Sequence, residues 1–139
     1  MKTVEELKQI ANDVRIDIIR QVSRAQSGHP GGTLGCTDIL TVLYFNVMDI
    51  TPENAVSIDR DRFVLSKGHA APALYSVLAH RGYFSTDLLL TLRKQGSILQ
   101  GHPDMKYIPG VDMSSGSLGQ GISAACGMAL SGKIRNKDY

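Results

Sequence analysis

Apolar residues recur at helical spacing along most of the chain. The first such stretch starts after Thr3, which has the capping-box spacing to Glu6, and its apolar stripe predicts a helix that ends near Gln26. Further helices are predicted at four places, over residues 37–47, 70–80, 85–93 and 122–134. The segments between them are rich in glycine and proline, which predict turns and loops. The pattern therefore predicts a helix-rich chain that is interrupted by glycine loops.

At residues 63–65 the pattern changes to a short apolar run, Phe-Val-Leu, which predicts a strand leading directly into the loop 66–69. Helices alternating with a strand favour the α/β fold class over an all-α one. One strand does not make a sheet, and its unpaired edge needs a partner. Because the chain reaches Tyr139 just after a helix, where an α/β protein normally enters its next strand, we expect residues 1–139 to form a single, incomplete domain.

Composition narrows the range of partners. The 139 residues are 42% hydrophobic and 20% charged, as in a globular domain, and a net charge of +2 does not indicate nucleic-acid or membrane-surface binding. The two cysteines, Cys36 and Cys126, belong to no CxxC motif, which excludes a cysteine-rich zinc site and a disulfide scaffold. No secretory or membrane-spanning segment is visible in the sequence. We therefore expect a cytoplasmic protein with no nucleic-acid partner and no membrane partner.

Three of the four histidines, His29, His69 and His102, directly follow a glycine. His29 and His102 also precede a proline, and a Gly-His-Pro turn fixes the direction in which the imidazole points. Such a side chain can hydrogen-bond a substrate hydroxyl or exchange a proton near neutral pH. The alternative is that the glycine loops happen to contain surface or packing histidines. Zinc binding is disfavoured because no two histidines have ligand spacing, and His80 is expected at a helix surface or near the helix C-terminal dipole.

A second candidate is the glycine run 116–121, Gly-Ser-Leu-Gly-Gln-Gly, at the start of the last predicted helix. Backbone N–H groups crowd together at such a place and suit an anion or a close-lying ring. Residues 119–124 also fit the dinucleotide pattern G-x-G-x-x-A, but no convincing strand precedes them and no second strand carries an acidic residue. The alternative is that these glycines only allow the helix to pack closely against its neighbour.

Four segments together closely resemble transketolase in order and spacing. They are Ser-Gly-His-Pro-Gly-Gly at 27–32, Ser-Lys-Gly-His-Ala-Ala-Pro-Ala-Leu-Tyr at 66–75, Gly-His-Pro at 101–103 and Gly-Ser-Leu-Gly-Gln-Gly at 116–121. The resemblance is to the N-terminal part of that family's diphosphate-binding domain and covers essentially the whole chain. Deoxyxylulose-phosphate synthases share the Ser-Gly-His start but fit less well, because they lack the Lys-Gly-His-Ala form and the Leu-Gly-Gln-Gly loop.

The resemblance implies a thiamine-diphosphate-binding fold, of which this chain is the helix-rich N-terminal portion of a three-layer domain with a parallel sheet. It also implies a transferase that moves a two-carbon ketol unit from a ketose phosphate to an aldose phosphate. Transketolases are dimers that bind thiamine diphosphate between the diphosphate-binding domain of one protomer and the pyrimidine-binding domain of its partner. A homo-oligomer that binds sugar phosphates is therefore expected.

The resemblance also assigns roles to individual residues. His29 and His102 would line the substrate channel and bond the carbonyl and hydroxyl oxygens of the donor, where charge develops. His69 would lie beside the cofactor, near its diphosphate and the reacting centre. Gly116 and Leu118 would contact the pyrimidine ring, the glycine through its backbone. The expected catalytic residues are thus His29, His69 and His102, and the expected cofactor-binding residues are His69, Gly116 and Leu118.

The resemblance further implies which parts of the site this sequence lacks. The Gly-Asp-Gly motif and the downstream asparagine that hold a divalent metal, Mg²⁺ or Ca²⁺, are expected beyond Tyr139, so no metal ligand is assigned here. The glutamate that activates the aminopyrimidine belongs to the pyrimidine-binding domain. We therefore expect this chain alone to be inactive and to need the rest of a transketolase, or a second half-subunit, as its partner. The alternatives are a non-catalytic, truncated assembly or binding module and, less well supported, a dinucleotide-binding domain.

Overall fold

The computed structural model describes residues 1–137, and its regular elements are helical. Within these residues the α-helices are α1 (Val4–Ala25), α2 (Pro30–Leu34), α3 (Thr37–Val42), α4 (Ala71–His80) and α5 (Gln120–Arg135). Shorter helical segments accompany them, namely a π-helical turn over Leu43–Val47 and 3-10 helices over Gly68–Ala70 and Thr86–Thr91. The helix-rich character that the apolar pattern predicts is confirmed.

The long first helix forms as its sequence predicts. The Thr3 side chain accepts a hydrogen bond from the Glu6 N–H, and the Glu6 carboxylate accepts one from the Thr3 N–H, which completes the capping box. At the other end Gln26 takes a left-handed conformation with φ of +48°, and this closes α1. Both predicted boundaries of α1 are confirmed.

Helix α4 lies at the centre of the fold, and every residue from 71 to 79 is buried. Helices α1 and α3 pack against it. The contact between α1 and α4 includes a buried polar link, because the Gln21 amide donates to Ser76 Oγ at 2.7 Å and to the Pro72 carbonyl at 3.2 Å. A buried central helix of this kind can fix the positions of the loops that are connected to its two ends.

Two predicted elements differ in the structure. Residues 63–65 form no strand within the described part of the chain, because their polar groups bond to side chains instead of to a neighbouring strand. Asp112 accepts from the Phe63 N–H at 2.8 Å, and Ser115 donates to the Leu65 carbonyl at 2.7 Å. The parallel sheet of the expected α/β fold is therefore not formed by residues 1–137. The predicted helix 85–93 is a shorter 3-10 helix, Thr86–Thr91, which Ser85 caps by accepting from the Asp87 N–H.

Helix α5 confirms the predicted helix 122–134 but is mostly exposed. Its buried residues are Gly121 and Gly132, whereas its aliphatic side chains Ile122, Leu130 and Ile134 are more than half exposed. The close packing expected against a sheet is made instead against the extended segment near Ser66. A Cβ added to Gly121 would lie 2.7 Å from Ser66 Cα, so only glycine allows this approach. Of the helices within residues 1–137, none has the length and the hydropathy needed to cross a bilayer.

The two free cysteines are expected to react at very different rates. Cys36 is buried and its thiol donates toward the Thr33 carbonyl at 3.3 Å, whereas Cys126 is exposed on α5. Burial raises the pKa of the Cys36 thiol, although the nearby Lys67 ammonium opposes this effect. Because the thiolate is the nucleophile, we expect iodoacetamide at pH 7 to modify Cys126 at least about tenfold faster than Cys36. Mass spectrometry of the wild type and of Cys126→Ser measures both rates, and equal rates would contradict the placement of Cys36.

Candidate functional site

Two of the three predicted histidines lie side by side. His29 caps the start of α2, where Pro30 occupies the first helical turn, and His69 lies in the 3-10 helix that leads into α4. The centroids of the His29 and His69 rings are 4.9 Å apart, and the ring planes are tilted by 58°. His29 is exposed and His69 is half-buried. The pair therefore presents two imidazoles to one region of solvent.

A lysine ties the two histidine segments together. Lys67 Nζ donates to the Gly32 carbonyl at 2.6 Å, which joins α2 to the turn that carries His69. A Cβ added to Gly32 would lie 3.4 Å from His69 Nε2, an ordinary van der Waals distance, so the His69 ring packs directly beside position 32. The sequence showed Lys67 within the 66–75 motif but assigned it no role, because its partner lies 35 positions earlier in the chain.

The glycine run packs against the same turn. The Gly119 N–H donates to the Ser66 carbonyl at 3.0 Å, and the Ile122 N–H donates to Ser66 Oγ at 3.2 Å. Ser66 therefore satisfies two of the amides at the start of α5, where helical bonding leaves N–H groups without partners. The neighbouring Gly68 is packed so closely on Ser115 that a Cβ would lie 2.8 Å from its carbonyl oxygen. The loop 115–119 is thus fixed beside His69.

The outer side of this loop is open. A Cβ added to Gly116 would meet no atom within 4 Å, and the Leu118 side chain is 69% exposed. Because Ser66 already occupies amides of the α5 N-terminus, the geometry favours a ring lying on the loop over an anion held by the helix end. At Gly121 the structure instead shows a packing role for the glycine, because its lack of a side chain permits close contact with Ser66.

His102 lies on a separate, exposed loop. It borders a surface pocket of about 520 Å³, whose lining also includes Gln100, Asp104, Tyr107 and Ser114. The Ser115 N–H donates to the Pro103 carbonyl at 3.4 Å, and Ser115 also packs on Gly68. The His102 loop therefore adjoins the glycine run and the His69 turn, although no direct contact joins the His102 ring to the other two rings among the described residues.

A buried ion pair supports the segment that leads to His69. Arg60 donates to Asp112 Oδ1, and their side chains are only 7% and 3% exposed. The second oxygen of Asp112 accepts from the Phe63 N–H at 2.8 Å, which anchors the extended segment before Ser66. Sequence reasoning missed this pair, because the two residues are 52 positions apart and stand in no motif.

The fourth histidine lies outside the site. His80 is the last residue of α4, and its Nε2 atom is 2.9 Å from Asp17 Oδ2 on α1. Among residues 1–137, no group of three or more His, Cys, Asp or Glu side chains is arranged to hold a metal ion. Because His80 pairs with Asp17 outside the candidate site, it is a suitable control position for variants of the other three histidines.

A family model for the thiamine diphosphate binding domain of transketolase matches residues 6–139. The chain belongs to the transketolase family. It is 48% identical over 125 residues to the 6-deoxy-6-sulfo-D-fructose transketolase subunit SqwG of Clostridium sp., a match that covers 90% of this chain and 46% of that relative. It is 41% identical over 136 residues to one of the subunits of the apulose-4-phosphate transketolase of Phocaeicola vulgatus, covering 98% of this chain and 48% of the relative.

The fold agrees with that of solved transketolases. The transketolase from Leishmania mexicana superposes with a TM-score of 0.86 at 36% sequence identity, over 94% of this chain and 19% of that one. The chain spans about half the length of the two transketolase subunits it matches. The predicted membership of the transketolase family is confirmed, as is the match to its N-terminal, thiamine-diphosphate-binding domain.

The described residues of this transketolase-family chain fit the ring part of thiamine diphosphate. The space beside Gly116 is open, and the neighbouring Leu118 offers an exposed apolar side chain. His69 follows Gly68, which packs against Ser115 next to this space. Gly116 and Leu118 therefore leave room for a ring, and together with His69 they remain the residues that the motif match predicts to hold the cofactor.

Proposed function

We propose that this chain supplies part of the cofactor- and donor-binding face of a transketolase that transfers a two-carbon ketol unit from a ketose phosphate to an aldose phosphate. The observation that carries the proposal is the pair of imidazoles at His29 and His69, 4.9 Å apart and tied together by Lys67. Sugar oxygens need hydrogen-bond donors that can also exchange protons, and paired imidazoles beside an open ring-binding surface meet this need.

The proposed mechanism divides the work among the three loops. Thiamine diphosphate, when bound, supplies the electron sink for cleavage of the carbon–carbon bond. His29 and His102 donate hydrogen bonds to the carbonyl and hydroxyl oxygens of the donor, at which charge develops. His69, whose ring centroid lies 4.9 Å from that of His29, holds or releases a proton beside the cofactor. Gly116 and Leu118 support the pyrimidine ring, the glycine through its backbone.

The proposal includes partners that lie outside this chain. The divalent metal, Mg²⁺ or Ca²⁺, would be held by residues beyond Tyr139, and the glutamate that activates the aminopyrimidine would come from a pyrimidine-binding domain. We therefore propose that residues 1–139 are inactive alone and act with the remainder of a transketolase or with a second half-subunit, in a homo-oligomer in the cytoplasm. Two relatives that match nearly the whole chain are named as transketolase subunits, which supports a partner polypeptide.

Titration calorimetry tests this proposal. We expect residues 1–139 to give no detectable heat with thiamine diphosphate and excess Mg²⁺, because the main anchor of the diphosphate is proposed to lie in residues beyond Tyr139. Mixed with a polypeptide that carries the remaining transketolase sequence, the chain is expected to bind the cofactor and to transfer a ketol unit in a coupled assay. His69→Gln should lower that activity, whereas His80→Gln, at the reference position on α4, should not.

The outcomes separate the alternatives. Saturable binding by the chain alone would overturn the assignment of the anchor to residues beyond Tyr139. Failure of the mixture to transfer a ketol unit would overturn the proposed function. The exposed Leu130 and Ile134 side chains of α5 favour a non-catalytic assembly module as the second candidate function. Self-association without cofactor binding in the mixture would support that candidate.

A further inference from the structure

The loop that carries His102 is joined to the centre of the fold by a buried tyrosine. Tyr75 lies in the middle of α4 and is fully buried. Its hydroxyl donates to the Gln100 carbonyl at 2.9 Å, two residues before His102. We propose that Tyr75 is a positioning residue for His102, which sets the location of that imidazole by anchoring the backbone of its loop to α4.

The anchor acts on a short and well-defined stretch of backbone. On the far side of His102, the Pro103 carbonyl accepts from the Ser115 N–H at 3.4 Å. Between the two attachment points, Gly101 is packed under the Arg93 guanidinium, which a Cβ would approach to 2.6 Å. His102 is therefore bracketed by one hydrogen bond to α4 and one to Ser115, the residue before the glycine run. Releasing either bond gives the imidazole freedom to leave its position.

The chemistry of the anchor suits a permanent tether. Desolvation by burial raises the pKa of the Tyr75 phenol well above its usual range, so the hydroxyl keeps its proton and remains a donor. The carbonyl that accepts this hydrogen bond belongs to the backbone, so the bond does not depend on the side chain of Gln100. This hydrogen bond constrains the position of the chain itself rather than the rotamer of a neighbour.

The chain also offers a matched control. Tyr44 is a second buried tyrosine, with 1% of its surface exposed, but its hydroxyl has no hydrogen-bond partner among residues 1–137. Tyr44→Phe therefore removes a buried hydroxyl without removing a tether, whereas Tyr75→Phe removes both. A difference between these two variants at the His102 loop reports the tether rather than the loss of an oxygen atom from the core.

Amide hydrogen exchange measures the tether directly. The Arg93 N–H donates to the Leu99 carbonyl and the Ser115 N–H to the Pro103 carbonyl, so both amides depend on acceptors in this loop. We expect Tyr75→Phe to speed their exchange by about tenfold relative to the amides of α1 and to shift the ring resonances of His102 but not those of His29, because only the loop is released. Tyr44→Phe should change neither.

Unchanged exchange at Arg93 and Ser115 would overturn the proposal, because the loop would then not depend on the tether. Exchange that rises equally in α1 would also overturn it, because a merely structural role of Tyr75 would act on the whole fold. Should Tyr75→Phe fail to fold, the unmodified chain still tests the hydrogen bond on which the proposal rests. A Tyr75 hydroxyl proton with a nuclear Overhauser contact to the Gly101 amide supports the tether, and a hydroxyl proton without that contact contradicts it.

The kinetic consequence rests on the proposed function, in which His102 bonds the ketose donor. In the mixture with the remaining transketolase sequence, Tyr75→Phe should raise KM for the ketose donor by about three- to tenfold, because a displaced His102 imidazole binds that substrate less well. The affinity for thiamine diphosphate should not change. An unchanged donor KM together with faster loop exchange would overturn the positioning role. Absence of activity in the unmodified mixture would instead reject the proposed function and leave the exchange result standing.

Discussion

Replacing Asp112 with alanine is expected to lower the free energy of unfolding by about 3–5 kcal/mol, because it leaves a buried guanidinium without its counter-charge. Arg60 and Asp112 are both buried, and Arg60 also donates to the carbonyls of Ala55 and Asp61, so its side chain cannot simply turn toward solvent. The substitution also removes the acceptor for the Phe63 N–H. Both losses act on the segment that leads into the His69 turn.

Urea denaturation followed by circular dichroism measures this effect, and the chain provides a control of the same type. Asp38 pairs with Arg15 at 2.7 Å, but these side chains are 72% and 38% exposed. Solvent screens such a pair, so Asp38→Ala should cost at most about 1 kcal/mol. If Asp112→Ala shifts the urea midpoint no more than Asp38→Ala does, the buried pair is not the support for the segment that we infer.

The helices could be predicted because their signals are local. The capping box of Thr3 and Glu6 spans four residues, and the apolar stripe that follows it repeats every turn. The predicted strand at 63–65 failed for the opposite reason. A strand exists only through hydrogen bonds to another strand, and among residues 1–137 the polar groups of this segment bond to Asp112 and Ser115. An apolar run alone cannot reveal which partner the backbone will find.

The sequence marks candidate site residues but does not show how they are arranged in space. The glycine-histidine pairs and the glycine run marked His29, His69 and the loop 116–118, and the resemblance to transketolase gave each a role. The sequence could not show that Lys67 reaches the Gly32 carbonyl, nor that Tyr75 reaches the Gln100 carbonyl. Both hydrogen bonds are accepted by a backbone oxygen, and every residue type has one. The identity of the accepting residue therefore gives no signal in the sequence. Such tethers become visible only when the chain is folded.

Replacing Gly121 with alanine is expected to destabilise the fold by about 1–3 kcal/mol, because the added methyl group overfills a tightly packed contact. The new Cβ would lie 2.7 Å from Ser66 Cα and 2.9 Å from Val64 Cγ1, and the first of these atoms belongs to the backbone and cannot rotate away. Helix α5 must therefore move outward at its first turn. That movement stretches the two hydrogen bonds through which Ser66 holds the amides of Gly119 and Ile122.

A second glycine of the same helix distinguishes this packing effect from helix propensity. Gly127 lies in α5 with no atom within 4 Å of an added Cβ, so Gly127→Ala should stabilise the chain by about 0.5–1 kcal/mol through the higher helix propensity of alanine. Opposite shifts of the urea midpoint for the two variants would show that Gly121 is required for contact and not for flexibility. Because Ser66 precedes the His69 turn and also holds the glycine run, the same contact couples the loop 115–119 to the paired imidazoles. Equal shifts of the urea midpoint for both variants would contradict this coupling. They would show that a methyl group at the contact with Ser66 has no larger effect than one at the exposed middle of α5.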